Sequence, residues 1–225
     1  MARVARIVAD NAVVHVFARG NNRQDVFHRH ADYDRYLDLL DRYRRRFPTH
    51  IYHYCLMPNH VHLVVQVEEG SHLASFMKGV TLGYSRYHQG RYGYVGHLWQ
   101  GRFRSVLIDQ ERYLLACGLY VERNPVRAGL ADSPDAYAYS SYRFYALGDS
   151  NRFLEENPLY HDLGATREAR RQAYREAYLT REREAFIKDR IDRGRFLGSL
   201  TFVQQAQARF GVRELRRRPG RPPKR

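Results

Sequence analysis

The chain has 225 residues, 44% hydrophobic and 13% aromatic, and carries 38 Lys plus Arg against 24 Asp plus Glu, a formal net charge of +14. That length supports one substantial core with a small appended module; the two cysteines exclude a disulfide framework or a zinc knuckle, and no apolar run reaches the length of a membrane span. The arginine-rich excess is the electrostatic footprint of a polyanion partner, and nucleic acid fits it better than a membrane because no amphipathic Trp/Phe/Leu face accompanies it.

The first residues, "MARVARIVADNAVVHVF", lack the apolar segment and cleavage site of a signal peptide. A soluble, unexported, cytoplasmic protein is expected, with Cys55 and Cys117 as buried thiols. Residues 12–19, "AVVHVFAR", read as a first strand closed by the turn signal Gly20-Asn21-Asn22. In "ADYDRYLDLLDRYRRRF", Tyr36, Leu39/Leu40, Tyr43 and Phe47 recur at helical spacing, and Pro48 helps to end that helix. Residues 50–57 and 60–67 are two strands of a hairpin joined through Pro58-Asn59. Ser71 is positioned to cap a helix running through Leu73, Phe76, Met77, Val80 and Tyr84 to about His88. A Gly-rich, aromatic and basic stretch, "QGRYGYVGHLWQGRF", leads to a fourth strand at 104–108. Asp109 is expected to cap the next helix, which should end at Asn124 because Pro125 disfavours a helical residue before it.

The order β-α-β-β-α-β-α predicts an α+β fold, a ferredoxin-like antiparallel sheet with helices packed on one face. Residues 1–150 are read as the main domain and 151–215 as a basic helical extension, with "REARRQAYREAYLTREREAFIKDRIDRG" as one charged helical segment and a shorter helix capped by Ser199. Residues 216–225 read as a disordered basic tail.

Chemistry has one clear foothold. In "MPNHVHLVV", alternation along a strand points His60 and His62 the same way, close enough to share a ligand. That is how a metal-binding pair would be placed; two ordinary core or edge histidines are the alternative. On the helix before Pro125, Tyr113, Ala116/Cys117, Tyr120 and Asn124 form one stripe, with Tyr120 and Asn124 one turn apart. If that stripe packs over the histidines, a phenol and an amide oxygen reach the metal, and a tyrosine so placed can attack phosphorus once a base or the metal assists it. Residue type alone reads Tyr120 as a core aromatic and Asn124 as a helix-end residue.

Four segments in series, "MPNHVHLVV", "HLWQGRFRS", "LYVERNPVRAGL" and "YAYSSYRFY", covering about residues 10–147, resemble the REP-associated tyrosine transposases of the HUH single-tyrosine superfamily. The resemblance implies a ferredoxin-like nuclease that cleaves single-stranded DNA hairpins through a 5′-phosphotyrosine intermediate and can rejoin strands. It implies His60 and His62 as the metal pair, Tyr120 as nucleophile and Asn124 at the place of a third polar ligand; Glu122 is near in sequence but on another helix face. The implied metal is Mg²⁺ or Mn²⁺, since phosphate chemistry with an oxygen ligand favours a harder ion than zinc. The implied partner is a DNA hairpin in a bacterial nucleoid, bound by a monomer or a homodimer.

For the strand itself, Arg86, Arg91, Arg102, Arg104, Arg127 and Arg221 are read as DNA contacts, with Trp99 and Phe103 as core anchors. The tail "RRRPGRPPKR" resembles an AT-hook in which Pro219 replaces the usual Arg before the glycine; a generic polycationic tail is the alternative. Three rivals remain open on sequence: a silent hairpin-binding regulator of the same fold, a replication-initiator or relaxase-like nuclease, and a hydrolase that activates water.

Overall fold

Strand β1 (Ala12–Arg19) is the middle of a five-stranded sheet ordered β2-β3-β1-β4-β5. In the computed structural model, which describes residues 9–212, β2 (Thr49–Met57) and β3 (His60–Val67) form the expected hairpin, and β1 lies antiparallel to both β3 and β4 (Arg104–Ile108). A short β5 (Phe196–Leu197), unmarked in the sequence, adds to β4 in parallel, so the sheet is mixed.

Alternation sorts the side chains. Val14, Val16 and Ala18 of β1 and Val61, Leu63, Val65 and Val67 of β3 bury on one face, under α1 (His30–Arg46) and α2 (His72–Tyr92). Tyr36, Leu39 and Leu40 of α1 and Leu73, Phe76, Met77 and Val80 of α2 complete that core. Val13, Val64, Val106 and Ile108 point the other way, under Leu114, Ala116, Cys117, Tyr120 and Val121 of α3 (Gln110–Glu122). Helices therefore cover both faces, which corrects the one-face expectation. The physical reason is that α3 crosses at Gly118, where a Cβ would stand 2.4 Å from the His53 ring, so the helix lies close against β2.

Two local expectations also change. Helix α3 stops at Glu122 rather than Asn124, because Asn124 opens a new turn, α4 (Asn124–Arg127), whose second residue is Pro125. A first-turn proline loses no hydrogen bond there. Asp109 precedes α3 without a side-chain cap; its carboxylate instead accepts from the Ser199 N–H and Oγ at 3.4 Å.

Beyond these comes α5 (Tyr142–Ala146), and the charged segment then breaks at residues 177–180 into α6 (Arg167–Glu176) and α7 (Arg181–Arg193), followed by α8 (Leu200–Phe210) with Ser199 as its cap. The α7 residues Ile187 and Ile191 join the α3 face, so α3 and α7 share a layer. The outer edge of β2 is covered as well: Leu56 N–H donates to Tyr139 O, Ser141 N–H to Tyr54 O and Glu155 N–H to Ile51 O. Among the described residues no helix is long and apolar enough to cross a membrane. Arg221 and the AT-hook-like tail lie outside the described residues.

Candidate functional site

His60 and His62 do share a face, with ring centroids 5.0 Å apart. The register places Phe17 opposite His62 and Arg19 opposite His60, and the Phe17 ring lies 5.5 Å from His60 and 5.0 Å from His62. A third imidazole, unmarked by any sequence pattern, joins them: His15 Nε2 is 2.9 Å from His62 Nδ1. It is invisible one strand at a time. Once β1 and β3 are in register, the odd-numbered residues of β1 lie on the histidine face.

Burial keeps these rings neutral. Loss of solvent, helped by the Arg19 charge, lowers His60 to about 4, and burial lowers His15 to about 3. His62 is driven well below its usual range by burial, then by His15, His60 and Arg127. A metal ligand must be deprotonated, so neutral imidazoles fit that role. The hydrogen bonds fit it too. Asn59 Oδ1 lies 2.5 Å from His60 Nδ1 and His15 holds His62 Nδ1, which leaves the Nε2 atoms of both His60 and His62 without a hydrogen-bond partner among the described residues. His15 Nδ1 is buried without a partner among the described residues.

Tyr120 projects from α3 on the same face. It is 4% exposed, and burial pushes its phenol up to about 12 against the opposing pull of Arg127. The Arg127 guanidinium sits 4.0 Å over its ring, donates to Tyr120 O at 2.8 Å and pairs with Glu184 of α7 at 3.1 Å. Arg127 thus bridges the tyrosine to the C-terminal helices, with its charge also felt by His62.

Asn124 turns its amide nitrogen back onto α3, donating to Val121 O at 2.9 Å and Tyr120 O at 3.3 Å. That is a helix-end contact; its Oδ1 remains the oxygen available to a ligand. Among the described residues no group of three His, Cys, Asp or Glu has metal-site spacing, so a cation held by the histidine pair would need donors of another kind.

Behind the tyrosine lies a buried polar hub. The Glu122 carboxylate, fully buried, accepts from His53 Nδ1 at 2.9 Å, from Ser141 Oγ at 2.5 Å and from Tyr174 OH at 2.6 Å, and Asn157 meets His53 Nε2 at 2.9 Å. These bonds fix the C-terminal end of α3 to β2, to the Ser140-Ser141 segment and to α6. They also join residues on either side of position 150, with His53, Glu122 and Ser141 before it and Asn157 and Tyr174 after it.

The arginines sort differently. Arg104 donates to the carbonyls of Ile191 and Asp192 at the end of α7. Arg86 and Arg91 are exposed on α2, and Arg102 lines a small pocket with Lys78, Trp99 and Phe103. Trp99 and Phe103 pack on the α1/α2 core, with Trp99 Nε1 donating to Thr81 O at 3.2 Å.

Comparison with solved structures finds the same fold in a REP-associated tyrosine transposase bound to a REP hairpin, at 17% identity and TM-score 0.56, covering 69% of this chain and 92% of that one. A candidate transposase from Deinococcus radiodurans R1 aligns at 15% identity over 57% of this chain and 92% of that chain, with a TM-score of 0.38, too low to carry an argument. No curated protein matches the sequence. A sequence profile described as "Transposase IS200 like" matches residues 8–124, which take in the sheet strands β1 to β4, the histidine pair, Tyr120 and Asn124. That match spans just over half of the chain, which therefore belongs to the IS200-like transposase family.

Proposed function

We propose that this transposase cleaves and rejoins single-stranded DNA hairpins of the REP type, with Tyr120 as nucleophile and His60 and His62 as ligands of a divalent cation, Mg²⁺ or Mn²⁺. The observation that carries the reading is the presence on one sheet face of two imidazole Nε2 atoms and a tyrosine hydroxyl, none with a hydrogen-bond partner among the described residues, and the Arg127 guanidinium over that tyrosine's ring. The cation, when bound, would polarise the scissile phosphate and neutralise charge that builds on it.

The chain's own groups do the rest. Tyr120 Oη attacks phosphorus and loses its proton to solvent. The bond from phosphorus to the 3′ oxygen breaks, and that oxygen leaves as a hydroxyl after taking up a proton. The product is a 5′-phosphotyrosine link, and attack by a 3′ hydroxyl reverses the step. Arg127 favours the phenolate by its charge, opposing the burial that leaves the phenol raised to about 12 overall. His15 orients His62 through its ring nitrogen, and Asn59 does the same for His60. Asn124 Oδ1 is the oxygen donor nearest in sequence to the tyrosine, and the exposed Arg86, Arg91 and Arg102 are phosphate contacts.

A second reading draws support from the closure of Tyr120, 4% exposed beneath an arginine that is itself paired to Glu184. It is a hairpin-binding regulator that does not cut. Labelled hairpins from the gene's flanks, incubated with the protein in Mn²⁺ or Mg²⁺, separate the two on denaturing gels. Cleavage that falls at least ~100-fold in His62→Ala supports the transposase reading, and metal titration by calorimetry should show the same variant losing cation affinity. Binding with no cleavage in either metal supports the regulator.

A further inference from the structure

The sheet face away from Tyr120 carries a feature that cleavage does not use. Helices α1 and α2 approach so closely that a Cβ on Gly83 would stand 2.9 Å from Leu39 and one on Gly79 would stand 2.4 Å from Tyr43. Along that seam runs an open groove of about 650 Å³ lined by Arg35, Leu39, Arg42, Tyr43, Gly83, Arg86 and Tyr87. Arg35 and Arg42 stand two turns apart on α1, and Arg86 flanks them from α2. No acidic residue lines the groove among the described residues.

Three of the nearby acids on α1 are already engaged. Asp41 is paired with Arg44 and Arg45, Asp38 with Arg152, and Asp32 accepts from Tyr87 OH at 2.9 Å and Tyr92 OH at 2.7 Å. Arg35, Arg42 and Arg86 have no ion pair among the described residues. Three unpaired guanidiniums facing one groove select a row of anions, and guanidinium forks match phosphate oxygens. The rings beside them are held against the protein: Tyr87 by its bond to Asp32, and Tyr43 by parallel packing with Phe47 and by the close pass of Gly79. With the Arg42 guanidinium also 6.0 Å over the Tyr43 ring, both tyrosines are half-buried and engaged within the protein, which favours a backbone contact over stacking of single-strand bases.

We infer that the α1/α2 groove binds the sugar–phosphate backbone of the duplex stem of the DNA hairpin, through Arg35, Arg42 and Arg86. The inference rests on the hairpin reading above and adds a second contact surface to it, on the opposite face of the sheet from the tyrosine. Contacts of this kind position the duplex and carry no base readout.

The test uses the full chain and a labelled hairpin from the gene's flanks, with Kd measured across a salt series. The double variant Arg35→Gln/Arg42→Gln, which leaves Arg86 in place, should bind more weakly for every stem sequence, and the slope of log K against log salt should shrink by about 1.8, roughly 0.9 for each lost phosphate contact. Its adduct yield on a stemless single strand should match the wild type, so loss of the groove and failure of the cleavage reading give different results. A control double, Arg167→Gln/Arg181→Gln, removes the same charge elsewhere and should leave most of the slope intact. An unchanged slope in the groove variant, an equal loss in the control, or an equal loss of affinity for the stemless strand would overturn the proposal.

Discussion

The two faces of the sheet obey different rules. Under α1 and α2 the strands bury Val, Leu and Ala against Leu, Phe and Met, and the close approach of two glycines brings the helices together. Under α3 the same strands bury His15, His62 and His53, and Glu122 is fully enclosed among hydroxyls and an imidazole. A dry face gains stability from area removed from water. A polar face gains little net stability and is fixed by geometry, since each buried polar atom must find its partner. The difference teaches where chemistry can be housed: the apolar layer holds the sheet firm enough for the other layer to carry charge and orphaned nitrogen.

The largest effect should come from the polar face. Glu122→Ala strands His53, Ser141 and Tyr174 in the interior and should cost about 3–5 kcal/mol in denaturant unfolding, whereas Glu122→Gln, which keeps an acceptor, should cost clearly less. Equal losses in the two variants would show that volume and not hydrogen bonding matters there. On the dry face, Leu40→Ala should cost about 3 kcal/mol through lost burial and a cavity, with cleavage per folded molecule unchanged; a loss of cleavage beyond the loss of fold would erase the division between the faces.

A smaller effect belongs to Asp32. Burial raises its carboxyl, but the bonds from Tyr92, the His28 N–H, Tyr87 and the Arg29 N–H outweigh this and leave it below its ordinary 3.8. A depressed folded value means its stabilisation is fully present above the ordinary value and is lost as pH falls through the lower, folded value. Asp32→Ala should therefore cost about 1 kcal/mol at neutral pH and progressively less on acidification below 3.8, read by chemical unfolding at several pH values. Smallest of all, Glu184→Gln breaks a partly exposed pair with Arg127 and should change stability by less than about 1 kcal/mol. If Glu184 restrains Arg127, the variant's adduct formation should rise at low DNA concentration; a fall would mean the pair supports the site.

Much of the frame is legible in the sequence. The bounds of β1, β3 and β4 follow from alternation bounded by turn residues, and the structure places all three where the pattern does. What alternation cannot tell is which face each helix covers, because an amphipathic stripe on α3 is equally satisfied by either side of a sheet buried on both. Two residues of β5 carry no pattern at all. At the site, the common face of His60 and His62 is readable from spacing alone. His15 is not, because a lone histidine in "AVVHVFAR" gains meaning only from its cross-strand neighbour. Glu122 lies off the tyrosine stripe, as the helical spacing has it; its role emerges from partners as distant in sequence as His53 and Tyr174, which only the tertiary fold assembles.

The most direct test of the central claim is to trap the protein on a labelled hairpin in Mn²⁺, digest it and locate the nucleotide-bearing peptide by mass spectrometry, with Tyr120→Phe in parallel. The expected result is a 5′-phosphonucleotide on Tyr120 and no adduct in the variant. Cleavage that persists undiminished in Tyr120→Phe, or an adduct mapped to another of the 18 tyrosines, would contradict it.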